Sequence, residues 1–201
     1  MKRRIAYLII AAALALYAGG AQAQSLTLAQ ISGYLNQMQT AQGSFTQINQ
    51  DGSLATGQIY IKRPGRIRFE YNPPAESLVL ASAGTVAIFD PRSNTGPEQY
   101  PLSRTPLSII LRENVNLERE SMVRNIVSDG ETTTVTAQDP ENPNYGSIQL
   151  VFTAEPIALR QWVVTDDLGG QTTTVLNDLE VGTPISSVLF NIQNEIRKQG
   201  N

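Results

Sequence analysis

The sequence predicts a mainly β domain with a few helices, an α+β fold in which about nine to eleven short antiparallel strands build one sheet that curls or closes. Three observations carry that prediction. Apolar and polar residues alternate with period two in run after run, most cleanly at Ile67, Phe69 and Tyr71 against Arg66, Arg68 and Glu70. Gly, Pro and Asn clusters separate the runs at regular spacing. Few stretches carry the three-and-four spacing of an amphipathic helix. No shift in composition divides the chain, and no long repeat is visible in its 201 residues, so one domain is expected.

That domain is expected to span residues 24–201, because residues 1–23 read as a cleaved secretory signal. Met1-Lys2-Arg3-Arg4 is a basic start, Ile5 to Gly20 is uncharged and mostly apolar, and Ala21-Gln22-Ala23 has the small-x-small pattern of a cleavage site. The apolar stretch is short for a membrane span, which needs about 20 residues. The destination implied is the bacterial periplasm. Without Lys2, Arg3 and Arg4, twelve of the fifteen basic residues face all eighteen acidic ones, a net charge of −6 over 178 residues. That balance argues against a nucleic-acid partner, which calls for a basic stripe.

The elements follow in order. Leu28, Ile31, Leu35 and Met38 place one apolar stripe on a helix from Leu26 to Met38, with Ser25 or Thr27 as cap and Gly43 as a stop signal. The stripe packs on a core or lies over an opening. A strand around Ser44–Asn49 turns at Asp51-Gly52-Ser53 into Gly57–Lys62, where Ile59 and Ile61 share a face. Pro64-Gly65 leads into the Arg66–Tyr71 strand, followed by strands at Leu78–Leu80 and Val86–Phe89. Thr105-Pro106 opens a second helix, with Thr as cap, Pro at its first position and Leu107, Ile110 and Leu111 as its apolar face, ending near Glu113. Strands resume at Met122–Val127, Thr132–Gln138, Ile148–Phe152, Ala158–Val164 with the single Trp162, and Gln171–Leu176. Thr183-Pro184 could open a short helix before Val188-Leu189-Phe190.

With no Cys and no His, the chain has no thiolate nucleophile, no disulfide, no imidazole ligand and no Ser-His-Asp triad. Neither a nucleophile elbow nor a phosphate-binding loop motif occurs. Asp166-Asp167 before Gly169-Gly170 reads as a hairpin turn, and Asp139 to Asn144 as a plain loop rather than a calcium site. No catalytic residue, metal or cofactor is expected. What remains is a strongly apolar inner face: Ile59, Ile61, Ile67, Phe69, Tyr71, Val86, Ile88, Ile148, Leu150, Phe152 and Trp162. Residue type leaves two readings open, a filled core and a cavity for apolar ligands.

The run Gly57-Gln58-Ile59-Tyr60-Ile61-Lys62-Arg63-Pro64-Gly65-Arg66-Ile67-Arg68-Phe69-Glu70-Tyr71-Asn72-Pro73-Pro74 resembles the outer-membrane lipoprotein carrier family of LolA type. Gly43-Ser44-Phe45-Thr46-Gln47 resembles the family's first strand, Thr85 to Pro91 the strand and turn that follow, and Thr105-Pro106 with Leu107 to Leu111 its Thr-Pro-led helix. The likeness covers nearly all of the chain beyond the signal and is weakest after Asp129. It implies an incomplete antiparallel barrel with a helical lid over an apolar cavity. It also implies a periplasmic chaperone that takes lipoproteins from an ATP-driven inner-membrane transporter to the outer membrane, with acylated lipoproteins as cargo, room for an outer-membrane receptor and a monomeric state.

By the same resemblance Arg63 holds the lid by hydrogen bonds in the closed, empty form. The cavity would be lined by Phe45, Ile59, Ile61, Ile67, Phe69, Tyr71, Val86, Ile88, Leu107, Ile110, Leu111, Ile148, Leu150 and Trp162, and the lid helix would present Leu28, Ile31, Leu35 and Met38. Two departures stand out: Ala87 where many relatives carry an aromatic, which bears on the cavity lining, and a tail after Phe190 that looks helical rather than strand-like. Alternatives on the same residues are a shuttle for another lipid or glycolipid and an envelope-assembly binding protein with a filled core.

Overall fold

A computed structural model describes residues 25–119 and 121–199; the expected signal segment 1–23 lies outside the described residues. The first element, α1 (Leu28–Gln37), opens with a reciprocal cap in which Thr27 Oγ1 accepts the Gln30 N–H and the Gln30 side chain accepts the Thr27 N–H. Strands β1 (Thr40–Ile48), β2 (Leu54–Lys62), β3 (Arg66–Tyr71), β4 (Leu78–Ser82), β5 (Thr85–Phe89) and β6 (Glu98–Pro101) form one meander. A helical turn α2 (Ser108–Leu111) lies in the connection to a second meander, β7 (Val123–Ser128), β8 (Thr132–Gln138), β9 (Ser147–Ala154), β10 (Ile157–Thr165) and β11 (Gln171–Val181). The chain ends in α3 (Ile192–Gln199).

The pairing of β1 with β11 fuses the two meanders into a single antiparallel sheet of order β6-β5-β4-β3-β2-β1-β11-β10-β9-β8-β7. Its edges, β6 and β7, do not pair, so the sheet curls without closing, as an incomplete barrel does. The expected α+β fold and strand number are therefore observed among the described residues.

Period-two alternation fills the inner face. Ile59, Ile61, Val135, Ala137, Ile148, Leu150 and Phe152 are fully buried, and α1 lays Ile31, Leu35 and Met38 into the same core. Edge-to-face rings link β1, β3 and β10 across the inner face: Phe45 stands 5.4 Å from Phe69 and 5.1 Å from Tyr71, and Phe69 stands 6.2 Å from Trp162, centroid to centroid. Gly57 is required here, because a Cβ would strike the Glu70 carbonyl and the Phe45 ring, whose Cε1 would lie 2.7 Å away.

The outer face carries a second, smaller core. Leu80, Ala87 and Phe89 pack under Ile185 and Phe190 of the C-terminal segment, with Ile192 and Ile196 of α3 alongside. Polar ties fasten that segment. Lys62 Nζ donates to the Ile185 carbonyl at 2.7 Å, and Arg68 donates to the Leu189 carbonyl at 2.9 Å and to Glu195 at 3.2 Å.

Several expectations are corrected by these contacts. Arg68 is 7% exposed, because the outer face it points to is roofed by the tail. Ala87 belongs to this outer core, so its small side chain makes room for the tail and leaves the cavity lining unchanged. The tail is helical, as its sequence suggested. The second helix is one turn long: Thr105 Oγ1 donates to the Leu102 carbonyl and completes the turn before it, leaving Leu107 at the N-cap without a side-chain bond. Gly43 lies inside β1, where a Cβ would approach the Asn177 carbonyl at 2.9 Å, and is not a helix stop. Strand β6 had no signal in the sequence; Glu98-Gln99-Tyr100-Pro101 pairs with β5 although only Tyr100 is apolar.

Candidate functional site

The register sorts the hairpins into two ends. The β2–β3, β4–β5, β7–β8 and β9–β10 turns lie at one end, and the β1–β2, β3–β4, β5–β6, β8–β9 and β10–β11 turns at the other. Helix α1 crosses the first end. Just before its start, the Leu26 N–H donates to Thr133 Oγ1 at 2.9 Å, and its C-terminus reaches the β2–β3 turn at Arg63.

Arg63 is 4% exposed and is surrounded by carbonyl groups. Its guanidinium donates to the Leu35 carbonyl in the last turn of α1, and to the Arg112 carbonyl just past α2, through Nε at 3.1 Å and again through Nη2. Longer contacts reach Glu113 O at 3.4 Å and Asn36 Oδ1 at 3.5 Å. The Leu35 carbonyl is one of α1's unsatisfied C-terminal acceptors, where the helix dipole favours a cation. The planar fork of Arg suits several acceptors at once.

Backbone bonds make the turn a hub. The Arg63 N–H donates to Gln39 O and the Gly65 N–H to Leu111 O, each at 2.8 Å. Gly65 has φ +69°, a conformation that favours glycine. Burial pulls the Arg63 guanidinium below its ordinary pKa, yet Arg stays charged in proteins.

The two lid pieces also hold each other. The Asn36 amide donates to Val115 O at 2.8 Å and accepts the Val115 N–H at 2.9 Å, and Ser32 Oγ accepts the Leu117 N–H at 3.0 Å. Arg63 thus ties together two segments that are already clasped.

Beside this hub lies a cavity of about 610 Å³, within the usual range for ligand pockets. Its apolar part is built by Ile67, Phe69, Val79, Ala81 and Val86 of β3–β5, by Leu102, Pro106 and Leu107 before α2, and by Trp162 and Val164 of β10. Toward the far hairpin end it turns polar, with Gln47, Tyr71, Thr172 and Thr174 on the strands and Asn144, Tyr145, Asp166 and Asp167 at the rim, while Arg104 borders it from the connection between β6 and α2. The Tyr71 hydroxyl donates to Gln47 Oε1 at 2.8 Å, and burial pushes its pKa up to about 12. Burial, followed by the charge of Glu98, raises Tyr100.

Of the residues expected at the cavity, the structure brings Ile67, Phe69, Tyr71, Val86, Leu107 and Trp162 to its wall. Phe45, Ile59, Ile61, Ile110, Leu111, Ile148 and Leu150 are packed in the core instead, and half-buried Ile88 leans against it. They share that core with Ile31, Leu35 and Met38 of the α1 segment, with Leu28 half-buried against it. Alternation gives the face of a residue but not its depth along the strand, so these could not be told from lining residues. Gln47, Thr172 and Thr174 carry no such signal, because apolar alternation marks only the apolar positions of a wall. Asp166 accepts the Leu168 and Gly170 N–H groups at 2.9 and 2.7 Å, the turn role expected of it. Among the described residues no group of three or more acidic, Cys or His side chains is placed to hold a metal ion.

The site thus combines an open, curled sheet, two helical segments tied to it at Arg63, and a side cavity. Residues 36–193 match the family model described as outer membrane lipoprotein carrier protein LolA, and the chain belongs to that family. An outer-membrane lipoprotein carrier protein of Coxiella burnetii is 25% identical over 181 residues, covering 86% of this chain and 85% of that one. The protein of that description from Pseudomonas aeruginosa is 25% identical over 197 residues, covering 93% of each. Among solved structures, a domain from Vibrio parahaemolyticus described as an outer membrane lipoprotein-sorting protein has the same fold. It aligns with a TM-score of 0.50 at 12% identity over 85% of this chain and 97% of that one.

Proposed function

We propose that this protein carries the acyl chains of lipoproteins through the periplasm, taking them from an ATP-driven inner-membrane transporter and handing them on at the outer membrane as a monomer without catalysis. The observation that carries the reading is the Arg63 hub. A buried cation joins the C-terminal ends of two clasped lid segments beside an apolar cavity, in a chain that belongs to the lipoprotein carrier family.

The physics of such a cargo fits the site. At about 0.8 kcal/mol per buried methylene, a chain of about sixteen carbons resists leaving a bilayer by roughly 10 kcal/mol. A carrier must match most of that burial and still let go. Arg63 supplies the means of letting go: acyl chains that lift the lid break its charged hydrogen bonds, and the cost of leaving that cation short of partners favours reclosure and release.

Residues 1–23 would direct the chain out of the cytoplasm and be removed, leaving the domain 24–201. The test is mass spectrometry of ligand extracted from protein purified from its native periplasm. Peptides with a lipid-modified N-terminal cysteine are expected. Free diacyl lipids alone would replace this reading with a lipid shuttle, and absence of any acyl ligand, together with no response of a fluorescent fatty-acid probe, would overturn both.

A further inference from the structure

The cavity is not uniformly apolar, and its polar residues form one continuous band. Gln47 on β1 and Thr174 on β11 are cross-strand partners, and Thr174 is in turn the partner of Trp162 on β10. Thr172 pairs with Val164, and Tyr71 on β3 reaches the band through its hydrogen bond to Gln47. All five of Gln47, Tyr71, Thr172, Thr174 and Trp162 border the cavity, and Thr174 is 3% exposed.

Placing hydroxyl and amide groups on a buried wall costs stability relative to apolar residues of the same shape. A pocket meant for hydrocarbon alone gains nothing from them. The band keeps to the half of the wall away from the lid: nearer the lid the same inner faces of β1, β3 and β11 carry Phe45, Phe69 and Leu176.

We infer that this band is a recognition subsite for the carbonyl groups at the head of an acylated ligand, the ester and amide links that join acyl chains to a glyceryl or cysteinyl head. The inference rests on the acyl-carrier reading above and adds to it an orientation. The hydrocarbon tail lies against Ile67, Ala81, Val86 and Leu107, and its carbonyl stops at the Thr172 and Thr174 hydroxyls. The acidic rim at Asp166 and Asp167 then faces whatever polar chain the head group continues into. Hydroxyls suit this task because each both donates and accepts, so the band is satisfied by protein or water when no ligand is present.

The experiment compares two lipids that differ in one carbonyl, 1-palmitoylglycerol (ester) and 1-O-hexadecylglycerol (ether), as competitors of a fluorescent fatty-acid probe on the full secreted chain. The native protein is expected to prefer the ester about five- to tenfold, the value of one buried hydrogen bond. In Thr172→Val with Thr174→Val the preference is expected to fall to about one, with ether affinity unchanged. Thr174→Ser, which keeps the hydroxyl, is expected to retain it and guards against a merely structural effect. Equal affinity of the native protein for ester and ether, or an undiminished preference in the double variant, overturns the inference while leaving the carrier reading intact. If neither lipid displaces the probe, the acyl-carrier reading fails and takes this inference with it.

Discussion

Replacing Arg63 by Leu should lengthen the life of the ligand-bound state. The latch consists of charged hydrogen bonds to the Leu35 and Arg112 carbonyls, with weaker contacts to Glu113 and Asn36. Bonds to a charged group contribute about 1.5–3 kcal/mol each, and the freed carbonyls regain water when the lid lifts, so the closed empty state loses on the order of 2–4 kcal/mol. That shifts the closed-to-open ratio by a factor of roughly 30 to 700. Leu fills most of the space, and the Asn36–Val115 and Ser32–Leu117 clasps remain, so the fold survives. Because ligand competes with the closed empty state, the apparent affinity rises and dissociation slows. The assay is the half-life of a bound fluorescent acyl probe, alongside amide exchange in α1 and in residues 108–117. Unchanged probe half-life together with unchanged α1 exchange would refute the latch. Arg63→Lys should fall between, since one ammonium cannot serve both carbonyls with a fork.

Other sites give independent checks. Tyr71 has its pKa raised to about 12 by burial, so the unfolded chain loses that proton first as pH climbs; stability is full below pH 10 and falls between pH 10 and 12, by about 2–3 kcal/mol. Tyr71→Phe should flatten that part of a urea-melt pH profile, at the cost of the bond to Gln47. Glu195→Gln should loosen the tail by about 1–3 kcal/mol, because Arg68 keeps Glu70 and the Leu189 carbonyl but loses its partner on α3; limited proteolysis of residues 183–199 reads it. Gly57→Ala should destabilise by about 3 kcal/mol or more, since the obstacle is the rigid Glu70 carbonyl, and a melting curve measures it. Ala87→Trp should expel the tail and leave cavity binding intact, which tail proteolysis and probe affinity separate.

The strands could be read from the sequence because one buried face forces period two, and the run from Ile67 to Tyr71 leaves no other reading. Helix α1 is equally plain: of its stripe of Leu28, Ile31, Leu35 and Met38 the last three are buried and Leu28 is half-buried. The one-turn α2 was overread because Thr-Pro signals a helix start, yet Thr105 spends its hydroxyl on the preceding turn. Strand β6 carries almost no apolar signal; it exists because β5 offers it a free edge. Chain-distant facts were invisible. Nothing near Arg68 in sequence announces that Glu195 and Leu189 will cover it, and nothing near Thr174 announces Gln47 as its neighbour. The Arg63 role came only with the family likeness, since a basic residue before Pro64 is by itself an ordinary turn.

Lys62 and Arg63 are consecutive and grip opposite layers. Lys62 ends β2 and reaches the outer face, where it holds the Ile185 carbonyl and Ser187 Oγ of the C-terminal segment. Arg63 begins the turn and donates to the Leu35 and Arg112 carbonyls at the ends of α1 and α2. Both layers are therefore anchored to one short stretch of backbone, whose strand is paired along its whole length to β1 on one side and from Gly57 to Lys62 to β3 on the other. A rigid anchor of this kind lets the lid move as a unit. When the Arg63 bonds break, the turn stays put, because the sheet and the tail on the outer face fix it, and only α1 and the α2 segment are free to shift. On the proposed function the carbonyls would then return to the same guanidinium when the ligand leaves. Were the turn itself mobile, the latch would lose the fixed geometry that makes reclosure favourable, and the difference between the bound and empty states would shrink toward simple methylene burial. Weakening the tail through Glu195→Gln should for that reason leave the latch bonds themselves unaltered but raise amide exchange at Gly65, whose N–H is pinned to Leu111 O only while the turn is held. Gly65 exchange that is unchanged in a variant with a demonstrably released tail would show that the sheet alone fixes the turn.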